Sequence, residues 1–174
     1  TMYRISYEMV SGNQGHWSDL STEEISTVRD LMDTMIPTPS GCFIQGFSQW
    51  PLKSIGVEHL SGINLRQEEI NWISTKLTGD VQQEALFSYL TELGCVLRPG
   101  FKYGCKWRVY DDDVAKSHAP WLLQPMTEAP VSWEQTCLSV RLAEGVHKKW
   151  VCGLKEDIGD WKFLHIKRWL PGRV

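Results

Sequence analysis

The sequence predicts an α+β protein of two compact lobes: a helical, mixed N-terminal lobe over residues 1–79, then a C-terminal α/β domain over 80–174, a mixed sheet with a helix packed across it. Three observations predict this. Apolar residues recur at helical spacing in three segments before about residue 94; short β-prone runs broken by Pro and Gly follow; and one serine-capped helical segment interrupts those runs. At 174 residues the chain can build one ordinary core or two small ones.

The first run sets Tyr3, Ile5, Tyr7 and Val10 against Arg4, Ser6 and Glu8, the alternation of a strand, and GNQGHW reads as a turn. A capping box, Ser21 with Glu24, then opens a helix carrying Ile25, Val28, Leu31, Met32 and Met35. IPTPSG breaks it, because two prolines and a glycine cannot continue the ladder. CFIQGF reads as a short strand, whereas 48–63 carries no pattern. Two further helices are expected, one on Ile70, Ile73 and Leu77, the other on Leu86, Tyr89, Leu90 and Leu93, stopped by Gly79 and Gly94. CVLRPGFKYGCKWRVY then holds two strands around a Pro-Gly turn, and HAPWLLQPM a third. Ser132 with Gln135 caps a last helix. VHKKWVCGL and WKFLHIKRWL close the chain as a hairpin about the turn KEDIGD. Because the final strand is apolar on both faces, it fits a strand that pairs across a dimer interface.

Composition narrows the function. A hydrophobic fraction of 42% with 22% charged residues belongs to a folded chain. With no run near the eighteen or so apolar residues of a bilayer span and no leader-like start, a soluble, unexported protein without a membrane partner is expected. Five widely spaced cysteines, without CxxC, read as reduced apolar fillers, so neither metal nor other cofactor is expected. GxxxxGK[ST], GxSxG and GxGxxG are all absent from the sequence. The net charge of −3 is unevenly spread: from Arg98 onward Lys and Arg number 13 against 9 Asp and Glu, and before it 5 against 12. Such a split points to a polyanion meeting the C-terminal part.

Three stretches carry a resemblance: GCVLRPGFKYGCKWRVY, HAPWLL, and RLAEGVHKKWVCGL with the closing KFLHIKRWL. In order and spacing they resemble the catalytic domain of the tRNA-splicing endonucleases, with a KYG tripeptide ahead of a Tyr-terminated strand, a His-Ala opening the next, and Arg-x6-Lys leading from helix to strand. The resemblance covers roughly 80–170. It implies an endonuclease that removes introns from precursor tRNA at a bulge-helix-bulge without metal, leaving a 2′,3′-cyclic phosphate and a 5′-hydroxyl. That chemistry needs a base for the 2′-hydroxyl, an acid for the departing 5′-oxygen and positive charge at the phosphorane. The family pattern puts these on Tyr110, His118 and Lys148. Lys148 is preferred to its neighbour Lys149 because it stands two after Val146, as in the family's Val-Arg-Lys passage, with His147 here in place of the arginine. A free tyrosine titrates near 10, so a tyrosine base depends on a cation beside it, which Lys148 is expected to supply; histidine, near 6.5, needs no such help.

The resemblance further implies that Arg141 sandwiches a bulge base with a residue of another subunit, Trp169 or alternatively Arg168. The acidic turn with Glu156, Asp157 and Asp160 is the candidate subunit contact. Asp111, Asp112 and Asp113 read as loop-shaping residues rather than metal ligands. Family enzymes work as four units, here a heterotetramer or a homo-oligomer, in the cytoplasm of an archaeon or the nucleus of a eukaryote. Two alternatives stand beside the catalytic subunit: a structural subunit of the same assembly, and a plain RNA-binding module.

Overall fold

The computed structural model describes residues 2–15, 17–45, 49–59, 61–79, 85–156 and 160–169. Its internal contacts divide the chain into two units, Asn13–Gly94 and a second that joins the residues up to Gly12 to those from Cys95 onward. This division differs from the expected boundary at 79/80 in two places. The helix at 85–92 goes with the first unit, where Lys76 and Glu92 form an ion pair. The N-terminal strand goes with the second, because ladder bonds hold it to the last strand of the chain.

In the unit 13–94, helix α1 (Thr22–Asp33) starts with the expected capping box: the Ser21 hydroxyl accepts from the Glu24 N–H and the Glu24 carboxylate accepts from the Ser21 N–H. An antiparallel sheet has the order β2-β3-β5-β4. Its strands are β2 (Ile36–Thr38), β3 (Gly41–Gln45), β4 (Val57–His59) and β5 (Gly62–Arg66). The breaker segment therefore becomes strand β2. Pro37 is tolerated because β2 lies on the sheet edge, where a missing donor costs no ladder bond. Helix α2 (Gln67–Thr78) ends at Gly79 in a left-handed conformation, and α3 spans Ala85–Glu92. Glu69, 1% exposed, is a satisfied buried charge: it accepts from the Gly56 and Arg66 backbone N–H groups at 2.7 and 3.0 Å.

The second unit is a six-stranded mixed sheet, β1-β10-β9-β8-β7-β6. Strand β1 spans Met2–Tyr7, β6 Val96–Pro99, β7 Trp107–Tyr110, β8 Trp121–Pro125, β9 Lys149–Lys155 and β10 Trp161–Trp169. Only β8 and β9 are parallel, and helix α4 (Trp133–Gly145) is the crossover that such a pair requires. Val140 and Ala143 of α4 pack on Leu122, Trp150, Cys152 and Ile166 of the sheet. Each large apolar side chain buried there is worth roughly 1.5–3 kcal/mol. The third apolar run becomes a strand at Trp121, three residues after His118. Strand β10 is interior, paired to β9 on one side and β1 on the other, so over these pairs it has no free edge for the expected pairing across a dimer. No described helix is long and apolar enough to cross a membrane.

Two turns set up the site. Between β6 and β7 the chain closes tightly enough that a Cβ on Gly100 would overlap the Cys105 sulfur, and Gly104, with φ +71°, ends the single helical turn Phe101–Tyr103. At the end of α4, the Lys148 N–H donates to Ala143 O at 2.9 Å and the His147 N–H to Glu144 O at 3.1 Å. This is the Schellman pattern, with His147 at φ +58° in the position that glycine usually fills.

Two predictions follow from burial and from this strain. The five cysteines are free, and burial pushes Cys95 up to about 12 and Cys105 and Cys152 up to about 11. These thiols stay protonated in the fold while the unfolded chain ionises from about pH 8.5, so their contribution is complete below that pH and is lost as pH rises through the folded values. The thermal unfolding midpoint should fall between about pH 9 and 11, less steeply in Cys152→Ala; equal slopes would contradict this. At the α4 terminus, His147→Gly should raise stability by up to ~1 kcal/mol and His147→Val lower it by ~1–2 kcal/mol in urea unfolding, because a β-branched residue suits φ > 0 poorly.

Candidate active site

Tyr110 ends β7 with its ring buried, packed with Val96 and Ala119. Arg108, two residues earlier, shares its strand face. The Arg108 guanidinium donates to the Tyr110 hydroxyl at 3.3 Å and, through Nε, to the Pro99 carbonyl at 3.0 Å. Its carbon lies 6.0 Å from the ring centroids of both Tyr103 and Tyr110. Tyr103 is the tyrosine of the KYG tripeptide, and the left-handed Gly104 completes the turn that presents its ring.

His118 is exposed and precedes the buried Ala119. The loop that delivers it from Tyr110 is built by the aspartates: Asp112 accepts from the Asp113 N–H at 2.7 Å, Asp113 accepts from the Ala115 N–H at 2.9 Å, and the Asp113 carbonyl takes bonds from Lys116 and Ser117. Among the described residues no group of His, Cys, Asp or Glu side chains is placed to hold a metal ion.

Lys148 leaves the Schellman turn at the head of β9. Its amine donates to the Ala119 carbonyl at 2.6 Å and lies 6.0 Å from the Tyr103 ring centroid. Burial, and then the charge of Arg108, hold its pKa below the ordinary lysine value. Lys149 points elsewhere: its backbone N–H donates to Pro120 O at 2.9 Å, and its amine pairs with Glu8 at 2.8 Å. Ala119 is thus the meeting point of the three expected groups. It packs on Tyr110, follows His118 in the chain and receives Lys148 on its carbonyl. Arg108 and Tyr103 were missed by the sequence reading; the signal for Arg108 was its two-residue offset from Tyr110, and for Tyr103 the tripeptide itself.

The remaining candidates lie apart. Arg141, exposed on α4, donates from Nε to the Tyr3 hydroxyl at 3.1 Å, and Tyr3 meets Trp133 edge to face. Arg168 is paired in register with Tyr3, and its N–H donates to Glu144 at 3.1 Å. Strand alternation turns Trp169 to the opposite face of β10, where Arg4 sits 5.1 Å over its ring. Arg141 and Trp169 therefore do not meet within one chain. At the hairpin tip, Glu156 forms an exposed ion pair with Lys162 at 2.9 Å, and its N–H donates to Asp160 O; Asp157 lies outside the described residues.

Residues 81–163 match the family profile of the tRNA intron endonuclease, catalytic C-terminal domain. The tRNA-splicing endonuclease of Methanopyrus kandleri is 29% identical over 107 residues, 59% of this chain and 59% of that protein. That of Thermoplasma volcanium is 33% identical over 85 residues, 49% of this chain and 28% of that protein. Haloferax volcanii has a tRNA-splicing endonuclease 34% identical over 96 residues, 50% of this chain and 27% of that protein. The chain thus spans from about a quarter to three fifths of the length of these relatives. Over 81–163, a stretch that includes Tyr110, His118, Arg141 and Lys148, the chain is similar to the tRNA intron endonuclease, catalytic C-terminal domain.

Proposed function

We propose that this chain is the catalytic subunit of an RNA endonuclease that excises introns from precursor tRNA at a bulge-helix-bulge, without a metal. The observation that carries the proposal is the meeting at Ala119, which packs on Tyr110, follows His118 and accepts the Lys148 amine at 2.6 Å. Tyr110 takes the proton of the 2′-hydroxyl as its oxygen attacks the adjacent phosphorus. The bond from phosphorus to the 5′-oxygen breaks, His118 gives that oxygen its proton, and Lys148 carries positive charge to the phosphorane. Atoms balance as a transesterification: the products are a 2′,3′-cyclic phosphate and a 5′-hydroxyl, and no water is consumed. Acid and base are each worth ~10²–10⁴ in rate.

The grip on the substrate is proposed to come from Arg141 and, from a neighbouring unit, Trp169 or Arg168, which stack on either side of a bulge base. The Arg4 guanidinium carbon lies 5.1 Å over the Trp169 ring. Two cleavage sites call for four units, either copies of this chain or copies with a structural subunit, and the turn of Glu156, Asp157 and Asp160 is the proposed contact between them.

Two experiments test this. With a bulge-helix-bulge RNA in EDTA, His118→Ala should abolish cleavage while binding persists; undiminished cutting would remove His118 from the mechanism, and binding without cutting by the unaltered protein would favour an RNA-binding module. Lys148→Ala should lose ~10²–10³ in cleavage rate, whereas Lys149→Ala, which loses only an ion pair to Glu8, should stay within about threefold of the parent. The reverse order would exchange their roles.

A further inference from the structure

Arg108 is the best-anchored cation of the site, and the reaction just proposed assigns it no part. Two bonds anchor it. Nε–H reaches across the ladder to the Pro99 carbonyl of β6, and a terminal N–H reaches along β7 to the Tyr110 hydroxyl, at 3.0 and 3.3 Å. The ring centroids of Tyr103 and Tyr110 each lie 6.0 Å from its carbon. A guanidinium is a rigid fork that keeps its charge at any working pH, and anchoring one arm to backbone fixes where the other arm points. A phenol oxygen, by contrast, sits at the end of a long lever, and an error of about 1 Å in a reacting atom can cost ~10² in rate.

We propose that Arg108 is a positioning residue that acts through Tyr110: fixed to β6 at Pro99, it holds the phenol oxygen where that oxygen meets the 2′-hydroxyl of the substrate. This rests on the role of Tyr110 proposed above. Its charge is also felt by Lys148, for which Arg108 is the second cause, after burial, of a lowered pKa. Arg108 and Lys148 each lie 6.0 Å from the Tyr103 ring centroid, and Tyr110 shares the strand face of Arg108.

The test is a double-mutant cycle on the full chain, reading single-turnover cleavage of a bulge-helix-bulge RNA with RNA affinity and unfolding midpoint as controls. Arg108→Gln should slow cleavage by ~10²-fold and leave affinity within about threefold. In a Tyr110→Phe background the same change should alter the remaining rate by less than about threefold, because no oxygen is left to hold. Where Arg108→Gln lowers the unfolding midpoint, Arg108→Lys, which keeps the charge but not the fork, replaces it in the cycle with the same criterion. An equal loss in both backgrounds, or parental cleavage by Arg108→Gln, overturns the proposal. Parental cleavage by Tyr110→Phe removes the base and this role together. An impaired Tyr110→Phe beside an unimpaired Arg108→Gln removes the role of Arg108 alone.

Discussion

The parallel pairing of β8 with β9 is the constraint on which the site depends. Parallel neighbours need a crossover, and here the crossover is α4, whose C-terminal turn must deliver the chain into β9 beside Pro120. A Schellman turn does this in two residues. Its cost is a left-handed His147, ~1–2 kcal/mol by steric argument, offset by the backbone bonds it allows to Ala143 and Glu144. The residue that emerges from that turn is Lys148, with its amine on the Ala119 carbonyl. Lys149, one step later, already belongs to the strand and faces Glu8. The strained residue therefore sits directly before the candidate catalytic lysine.

Electrostatics follow from what holds the cations. Arg108 is held by the Pro99 carbonyl and the Tyr110 hydroxyl, and Lys148 by the Ala119 carbonyl. These are neutral oxygens, so the bonds orient both cations without cancelling their charge. Burial first, and then the like charge of Arg108, lowers the pKa of Lys148, and both are costs of holding the charged amine there. In the proposed reaction a phosphodiester entering between such groups would relieve the like-charge cost, and the field at the site rather than the net charge of −3 is what such a substrate would meet.

The N-terminal strand gives the sheet a second long-range dependence. β1 closes on β10 through six register pairs, Met2↔Trp169 to Tyr7↔Leu164, so the two ends of the chain stabilise one another. It also explains β10, whose Phe163 and Ile166 face opposite sides and are both buried. Tyr3 of β1 in turn meets Arg141 and Trp133 of α4, tying the helix that carries one candidate RNA contact to the strand that begins the chain.

Local physics determined much of this protein from its sequence alone. The capping box at Ser21 and Glu24, the left-handed glycines 79 and 94, the serine cap of α4 and the closing hairpin are all contacts within a few residues, and each was legible. Tyr110, His118 and Lys148 were singled out there as candidates, because the proposed reaction, which moves two protons and stabilises charge, calls for those types. What only the tertiary structure decided is long-range. Pairing of β1 with β10 spans the whole chain, and Pro37 could be placed in a strand only once β2 was known to lie at an edge. The Lys148 amine finds the Ala119 carbonyl, 29 residues away in the chain, whereas that of Lys149 finds Glu8. Arg108 and Tyr103 gained meaning only when β6, β7 and the KYG turn were brought together. Backbone propensity and spacing act over one or two turns of chain; which ladder a strand joins, and which carbonyl an amine finds, are settled by packing, and packing is a property of the folded whole.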